Sequence, residues 1–287
     1  MITGANSGIG FATSLGLARQ GLEIVMVCRS RERGEAAQKE IILRTGNSFV
    51  HLMMADLSSQ KSIRDFAAEF KSKFNSLHIL INNAGISPFK RELSVDGIEM
   101  AFATNHLGPF LLTNLLLDVL KSSAPARIIN IASIAHRGAK IKINFDDLQG
   151  EVNYDGSIAY GQSKLANILF TYELARRLEG TGVTVNALCP GGVATNIWRQ
   201  LNPPLQWLMK IVLKSPEEAA RLPIYLATSK DLDGVSGKYF EFKRHLRVST
   251  YIPFLRFDVR KAETMSSAQS YDEAVAKRLW ETSAKFN

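Results

Sequence analysis

Cysteine is almost missing from this sequence: Cys28 and Cys189 are its only two. They show no paired spacing, so neither a disulfide framework nor a thiolate metal site is encoded, and no metal is expected. Both stand in apolar stretches, as buried thiols do, and a reducing compartment is the easier setting for them. Apolar runs of about 18 residues, the length of a spanning helix, are also missing, and no secretory leader is expected. The sequence does not fix a location; the cytoplasm, or the cytosolic face of a membrane, is favoured. Internal repeats, low-complexity tracts and Pro/Gly-rich linkers are lacking too, so residues 1–287 are expected to form one domain. The first glycine-rich turn has almost nothing before it. Only Met1-Ile2-Thr3 can fill the strand that should precede it, against about five residues in an ordinary strand. Some backbone groups of the neighbouring strands are expected to stay unpaired, at about 1–3 kcal/mol each.

What is present is an ordinary apolar fraction of 46%, well above that of chains that stay disordered. The 35 Lys and Arg against 27 Asp and Glu give a net charge of +8. Such a balance suits an anionic cofactor, acidic lipid or nucleic acid. The basic residues are scattered, apart from a small cluster at Lys243, Arg244 and Arg247, and no nucleic-acid motif accompanies them. A solvated surface is the simpler account, and nucleic acid is not expected as a partner.

Short apolar segments alternate with longer amphipathic ones, the signature of an α/β fold: a doubly wound parallel sheet with helices on both faces. Strands are expected at Leu22–Cys28, Phe49–Ala55, His78–Asn82, Ala126–Ala132, Val183–Leu188 and Lys238–Phe242. Helices are expected near Ile9–Gln20, Arg31–Arg44, Ser58–Phe74, Gly97–Lys121, Ile158–Glu179 and Pro216–Thr228, with Ser58 as a candidate cap. Residues 138–155, 196–214 and 246–270 have no clear period.

The first turn reads Thr3-Gly4-Ala5-Asn6-Ser7-Gly8-Ile9-Gly10. Its glycines let backbone approach a pyrophosphate, and the helix that begins at Ile9 points free N–H groups at it. An ordinary glycine turn is the rival for this pattern alone. At the end of the next strand, an acidic residue would hold the 2′-hydroxyl of NAD. Arg29 stands there instead, followed by Arg31 and Arg33, and a guanidinium favours a 2′-phosphate. NADP(H) is therefore the expected cofactor, unless these arginines merely decorate a helix start. Asp56-Leu57, after the third strand, would meet the adenine edge, or Asp56 would cap the following helix. Asn83-Ala84-Gly85 after the fourth strand would pass close to the ribose, or make a plain turn.

Tyr160-x-x-x-Lys164 places a phenol and an ammonium on one helix face, one turn apart. A phenol of pKa about 10 needs such help to exchange protons near neutral pH. The spacing is common by chance. Its place at the start of the helix after the fifth strand, on the crevice side of an open sheet, gives it weight. Ser133 comes to the same sheet edge, to hold a substrate oxygen or to cap a turn. Asn105 lies within a helix, where asparagine competes with its own backbone. It is expected either to hold a water near Lys164 or to mark a kink.

In this order the set Thr3-Gly4-x-x-x-Gly8-x-Gly10, Asn82-Asn83-Ala84-Gly85, Asn105, Ser133, Tyr160-x-x-x-Lys164 and Pro190-Gly191 resembles the short-chain dehydrogenase/reductase family. Asn105-His106-Leu107-Gly108 and Leu279-Trp280-Glu281 resemble its retinol dehydrogenase branch. The resemblance implies a tetrad of Asn105, Ser133, Tyr160 and Lys164. It also implies cofactor contacts from Gly4, Asn6, Ser7, Gly8, Ile9, Gly10, Tyr160, Lys164, Pro190, Gly191, Val193 and Thr195. The activity implied is NADP(H)-dependent interconversion of an apolar alcohol and its aldehyde or ketone. The apolar stretch 196–214 would cover an elongated substrate such as a retinoid; a homo-oligomer contact or a peripheral membrane contact aided by Lys210 and Lys214 fits the same pattern. Reduction of steroid, lipid-aldehyde or xenobiotic carbonyls, and a non-catalytic cofactor-binding regulator, are the alternatives.

Overall fold

The computed structural model describes residues 1–193, 213–242 and 262–287. Its centre is an eight-stranded sheet: β1 (Ile2–Thr3), β2 (Ile24–Cys28), β3 (Val50–Met54), β4 (Ile79–Asn82), β5 (Ala126–Ile131), β6 (Val183–Cys189), β7 (Lys238–Glu241) and β8 (Glu263–Thr264). The spatial order is β3-β2-β1-β4-β5-β6-β7-β8. All neighbours are parallel except the last pair, in which Phe240 faces Glu263 in antiparallel register.

Strand alternation sorts the apolar residues onto the two faces. Val25, Val27 and Ile128 join Phe66, Phe70, Phe110 and Phe170 in the core on one side. Ile24, Met26 and Ile129 join Leu15, Leu17, Ile41 and Leu222 on the other. The covering helices are α1 (Gly8–Ala18), α2 (Arg31–Thr45), α3 (Gln60–Lys73), α4 (Gly108–Leu115), α5 (Leu117–Ser122), α6 (Gly156–Arg177), α7 (Pro216–Thr228) and α8 (Glu273–Phe286). Among the described residues no helix is long and apolar enough to cross a membrane.

The first strand is a stub, as expected, yet it is bonded on both sides. Ile2 pairs with Met26 and with Ile81. Gly4 N–H donates to the Val27 carbonyl at 2.9 Å, and Ile81 N–H to the Met1 carbonyl at 2.9 Å.

Two expectations need correction, and two features were not foreseen. The cap of α3 is Ser59, whose hydroxyl accepts from Ser62 N–H, and not Ser58, whose N–H and hydroxyl both bond Asp56. The long helix expected over 97–121 is broken: a π turn at Ala103–Leu107 precedes α4, and Leu116 separates α4 from α5. Residues 262–271, in and just after a stretch without clear period, supply an antiparallel edge strand and a 3₁₀ turn at Ala268–Tyr271. Helix α8 was not anticipated at all. Its signals are present in the sequence: Asp272 caps it through Val275 N–H, and Ala276, Leu279 and Ser283 bury one face at helical spacing.

Candidate active site

Strand order reverses at β1, so the crevice of this sheet opens at the carboxyl ends of β1 and β4. The loops after those strands are sewn together by the buried Thr3 hydroxyl. It accepts from Asn83 N–H at 2.9 Å and from Ala84 N–H at 3.0 Å. Asn83 returns the contact, its side-chain amide donating to the Thr3 carbonyl at 2.8 Å. Asn83 and Ala84 thus lie beside Gly4, and Thr3 is a clamp that sequence reasoning had placed only within the motif.

Gly10 lies so close to this knot that an added Cβ would stand 2.3 Å from the Gly4 carbonyl oxygen and 2.5 Å from Asn83 Nδ2. Ser7 precedes α1 without capping it, and the first turn holds no acidic side chain. The first-turn N–H groups and the positive helix end are therefore left for an outside anion. Beside them a cavity of about 370 Å³ is lined by Asn6, Ser7, Phe11 and Arg33. Gly8 and Ile9 form the start of α1 beneath it.

Arg29 and Asp56 end neighbouring strands and face one another, with guanidinium and carboxylate 3.9 Å apart and both substantially exposed. The Asp56 carboxylate also accepts from Ser58 N–H at 2.9 Å, so it caps the turn as well as facing the crevice edge. Leu57 is buried and its carbonyl lies against Gly108. Arg31 extends along the exposed side of α2 toward Glu35, 3.8 Å away.

Beyond β4, Gly85 marks where two side chains converge. A Cβ there would meet Lys164 Nζ at 3.2 Å and Asn105 Oδ1 at 3.3 Å. Asn105 sits in the π turn and is fully buried. Its Oδ1 accepts from Ile86 N–H at 2.8 Å, while Nδ2 donates to the Ile86 carbonyl and to Ser163 Oγ, each at 2.9 Å. Its presence in a helix is thus explained by protein contacts, and the helix is irregular there as well.

Ser133 directly follows β5 through Ala132. Its hydroxyl accepts from Ala135 N–H at 3.3 Å, which caps a 3₁₀ turn over Ile134–Arg137. The Tyr160 phenol, on the first turns of α6, feels the same hydroxyl. Lys164, one turn further along, donates to the Ile131 carbonyl at 3.1 Å, with its Nζ 5.7 Å from the centre of the Tyr160 ring. Burial pushes the Tyr160 phenol up to about 12, while the Ser133 hydroxyl counteracts by favouring the phenolate. Burial pulls the Lys164 ammonium down to about 8. In the protein alone the phenol is therefore a proton holder, and of the two Lys164 titrates nearer neutrality.

Pro190 and Gly191 follow β6, and Gly191 N–H approaches Cys189 Sγ at 3.4 Å. Val193 pairs with Lys214, so the chain leaves and re-enters at one point. Lys214 lays its ammonium over the Phe242 ring at 4.0 Å. Thr195 and most of the 196–214 stretch lie outside the described residues.

A glycine turn feeding a helix at the switch point, with a serine, a tyrosine and a lysine gathered at one sheet edge, is the architecture of a nucleotide-dependent oxidoreductase. The family model of short chain dehydrogenases matches residues 1–206, and the chain belongs to that family. It is an oxidoreductase acting on CH–OH groups with NAD(P). Within the family it falls in the retinol dehydrogenase-like branch. It is 45% identical to human retinol dehydrogenase 13 over 99% of this chain and 83% of that protein. With mouse retinol dehydrogenase 12 it shares 48% identity over 87% of this chain and 79% of that one. Among solved structures, an uncharacterised protein of Mycobacterium paratuberculosis superposes with a TM-score of 0.75, at 32% identity over 99% of this chain and 91% of that one. The Pseudomonas aeruginosa RhlG/NADP active-site complex superposes at 0.69, with 28% identity over 84% and 92% of the two chains.

Proposed function

We propose that this protein interconverts an apolar alcohol and its aldehyde or ketone with NADP(H), a retinol- or retinal-like molecule being the favoured substrate. The observation that carries the reading is the Lys164 ammonium 5.7 Å from the centre of the Tyr160 ring, at the sheet edge where Ser133 follows β5 and its hydroxyl favours the phenolate. The uncrowded first turn of α1 and the close packing of Gly10 suit a pyrophosphate. Arg29 and Arg33, where NAD sites place an acidic residue, favour the 2′-phosphate. The similarity to the RhlG/NADP complex supports the same cofactor. Asp56, Leu57, Asn83, Ala84, Gly85, Pro190, Gly191, Val193 and Thr195 would line the remainder.

The cofactor, when bound, supplies or accepts the hydride. Tyr160, protonated at neutral pH, gives its proton to the carbonyl oxygen in reduction and takes it back in oxidation. Ser133 donates to that oxygen and holds it in reach. Lys164, fixed by the Ile131 carbonyl, stabilises the phenolate left behind. Asn105 positions the chain at Ile86 and, through Ser163, the helix that carries Tyr160. The preference for a long apolar substrate rests on the apolar stretch 196–214 and on the retinol dehydrogenases that the chain resembles.

NADPH oxidation followed against a panel of retinal, steroid ketones and short aldehydes tests the reading. Turnover is expected with long apolar aldehydes. Tyr160→Phe should bind NADPH but lose turnover by about 10²–10⁴-fold. Retention of more than about a tenth of kcat in that variant would remove the acid–base assignment. No turnover with any member of the panel would favour the non-catalytic alternative.

A further inference from the structure

His136 stands three residues after Ser133, is fully buried, and is not among the expected site residues. Its two ring nitrogens have unambiguous roles. Nδ1 lies 2.5 Å from the Ser133 carbonyl, which can only accept, so Nδ1 carries the hydrogen. Nε2 lies 3.1 Å from the backbone N–H of Ser267, which can only donate, so Nε2 must be bare. The ring is therefore neutral and in a single tautomer.

Ser267 belongs to residues 262–271, far along the chain, and that segment is firmly docked. β8 pairs with β7, and the Ser266 hydroxyl meets the Tyr172 hydroxyl at 2.7 Å. Arg137, next to His136, donates to Glu241 at 2.6 Å and also to the Met265 carbonyl. The His136 ring stands edge-on to Tyr239, 5.3 Å between centres.

We infer that His136 is a positioning residue for Ser133. Its ring ties the Ser133 carbonyl to the Ser267 N–H, so the 262–271 segment sets the angle at which the Ser133 hydroxyl meets Tyr160 and a substrate oxygen. The inference rests on the role of Ser133 proposed above. It also makes turnover depend on a neutral ring, because a protonated Nε2 would face the Ser267 N–H donor to donor. The charged and titratable groups around the ring are Arg137 on its own turn and Tyr239 and Glu241 on β7, with Tyr160 reaching the same turn through Ser133. Burial is the largest influence, holding the imidazole below its ordinary value, with Arg137 acting in the same direction.

Ser267 offers a clean test. Its φ of −67° already suits proline, and its buried hydroxyl has no partner to lose. Ser267→Pro removes both the N–H and the hydroxyl, whereas Ser267→Ala removes the hydroxyl and keeps the N–H. The proline variant should turn over about tenfold or more slowly than the alanine variant, with KM for NADPH unchanged within about twofold. Equal kcat in the two, both folded by circular dichroism, overturns the inference. A second pair decides if the proline variant does not fold. His136→Gln keeps an acceptor for Ser267 without a titrating ring, so it should exceed His136→Phe in kcat and lack the acidic limb of the wild-type kcat profile. Equal kcat in this pair, or an acidic limb persisting in His136→Gln, is the contrary result. Tyr160→Phe in the same assay separates the two levels. If it stays active, the catalytic reading fails; if it is inert while the Ser267 pair is equal, only the positioning role fails.

Discussion

Asn105 Nδ2 donates to Ser163 Oγ at 2.9 Å, and this one bond ties the π turn after β4 to the helix that bears Tyr160 and Lys164. Ser163 in turn donates to the Tyr160 carbonyl at 2.8 Å. Two groups of the expected tetrad therefore hold their spacing through a residue outside it. Ser163→Ala should leave one Asn105 hydrogen unpaired in the interior, at a cost of about 1–3 kcal/mol. It should also lower kcat by roughly twofold to tenfold through misplacement of the helix. Thermal melts and NADPH turnover check both numbers, and wild-type values for both would show that Ile86 alone holds Asn105.

Cofactor choice is testable at Arg29. Arg29→Asp removes a candidate 2′-phosphate partner and sets a second carboxylate beside Asp56, which now faces the guanidinium at 3.9 Å. KM for NADPH should rise about tenfold or more, and the NADPH:NADH preference should narrow or invert. An unchanged preference would move recognition to Arg33, which lines the cavity beside Asn6 and Ser7.

The depressed Lys164 value predicts the alkaline side of the reduction profile. Lys164 releases its proton at about 8 while Tyr160 keeps its own to about 12. Above pH 8 the phenol can still donate, but the phenolate it leaves loses its cationic partner. kcat/KM for carbonyl reduction should then fall with a slope of one proton across pH 8, since this parameter reports the free enzyme. A profile flat to pH 10 would show that the ammonium is not needed.

His106 predicts the acid side of stability. It is fully buried in the π turn, with Nε2 at 2.9 Å from Ser283 Oγ of α8. Burial lowers it from 6.5 to about 4. As pH falls below 6.5 the unfolded chain takes up a proton that the folded one refuses. Stability is thus whole above that pH and is lost progressively down to about 4, by up to ~3 kcal/mol from this group. Denaturant melts between pH 7.5 and 4.5, compared with His106→Asn, isolate the contribution. Parallel losses in the two proteins would assign the acid sensitivity to other groups.

Much of the fold is written locally. Val25, Val27 and their alternating neighbours are apolar on both sides, which only a strand buried on two faces requires, and the six strands expected from them are present. Gly4 to Gly10 and Tyr160-x-x-x-Lys164 are equally local, because a tight turn and a single helix turn bring their members together whatever the rest of the chain does. A kink at Asn105 is one of two readings of that residue, but what decides between them is not legible in the sequence. The deciding contact is the Ile86 backbone, which arrives from another loop.

Tertiary structure alone decided what stands next to what at the sheet edge. Ser133 reads equally well as a turn cap, and it is one; only the register of β5 beside β6 and the course of α6 also bring Tyr160 to its hydroxyl. Thr3 looks like part of a glycine motif until Asn83 and Ala84 fold against it. His136 and Ser267 carry no pattern that links them, since a side-chain to backbone bond leaves no periodicity behind. Local preferences fix which atoms each segment can offer. Desolvation and long-range pairing, which exist only once the sheet has closed, fix their partners and set Tyr160 and Lys164 at about 12 and about 8.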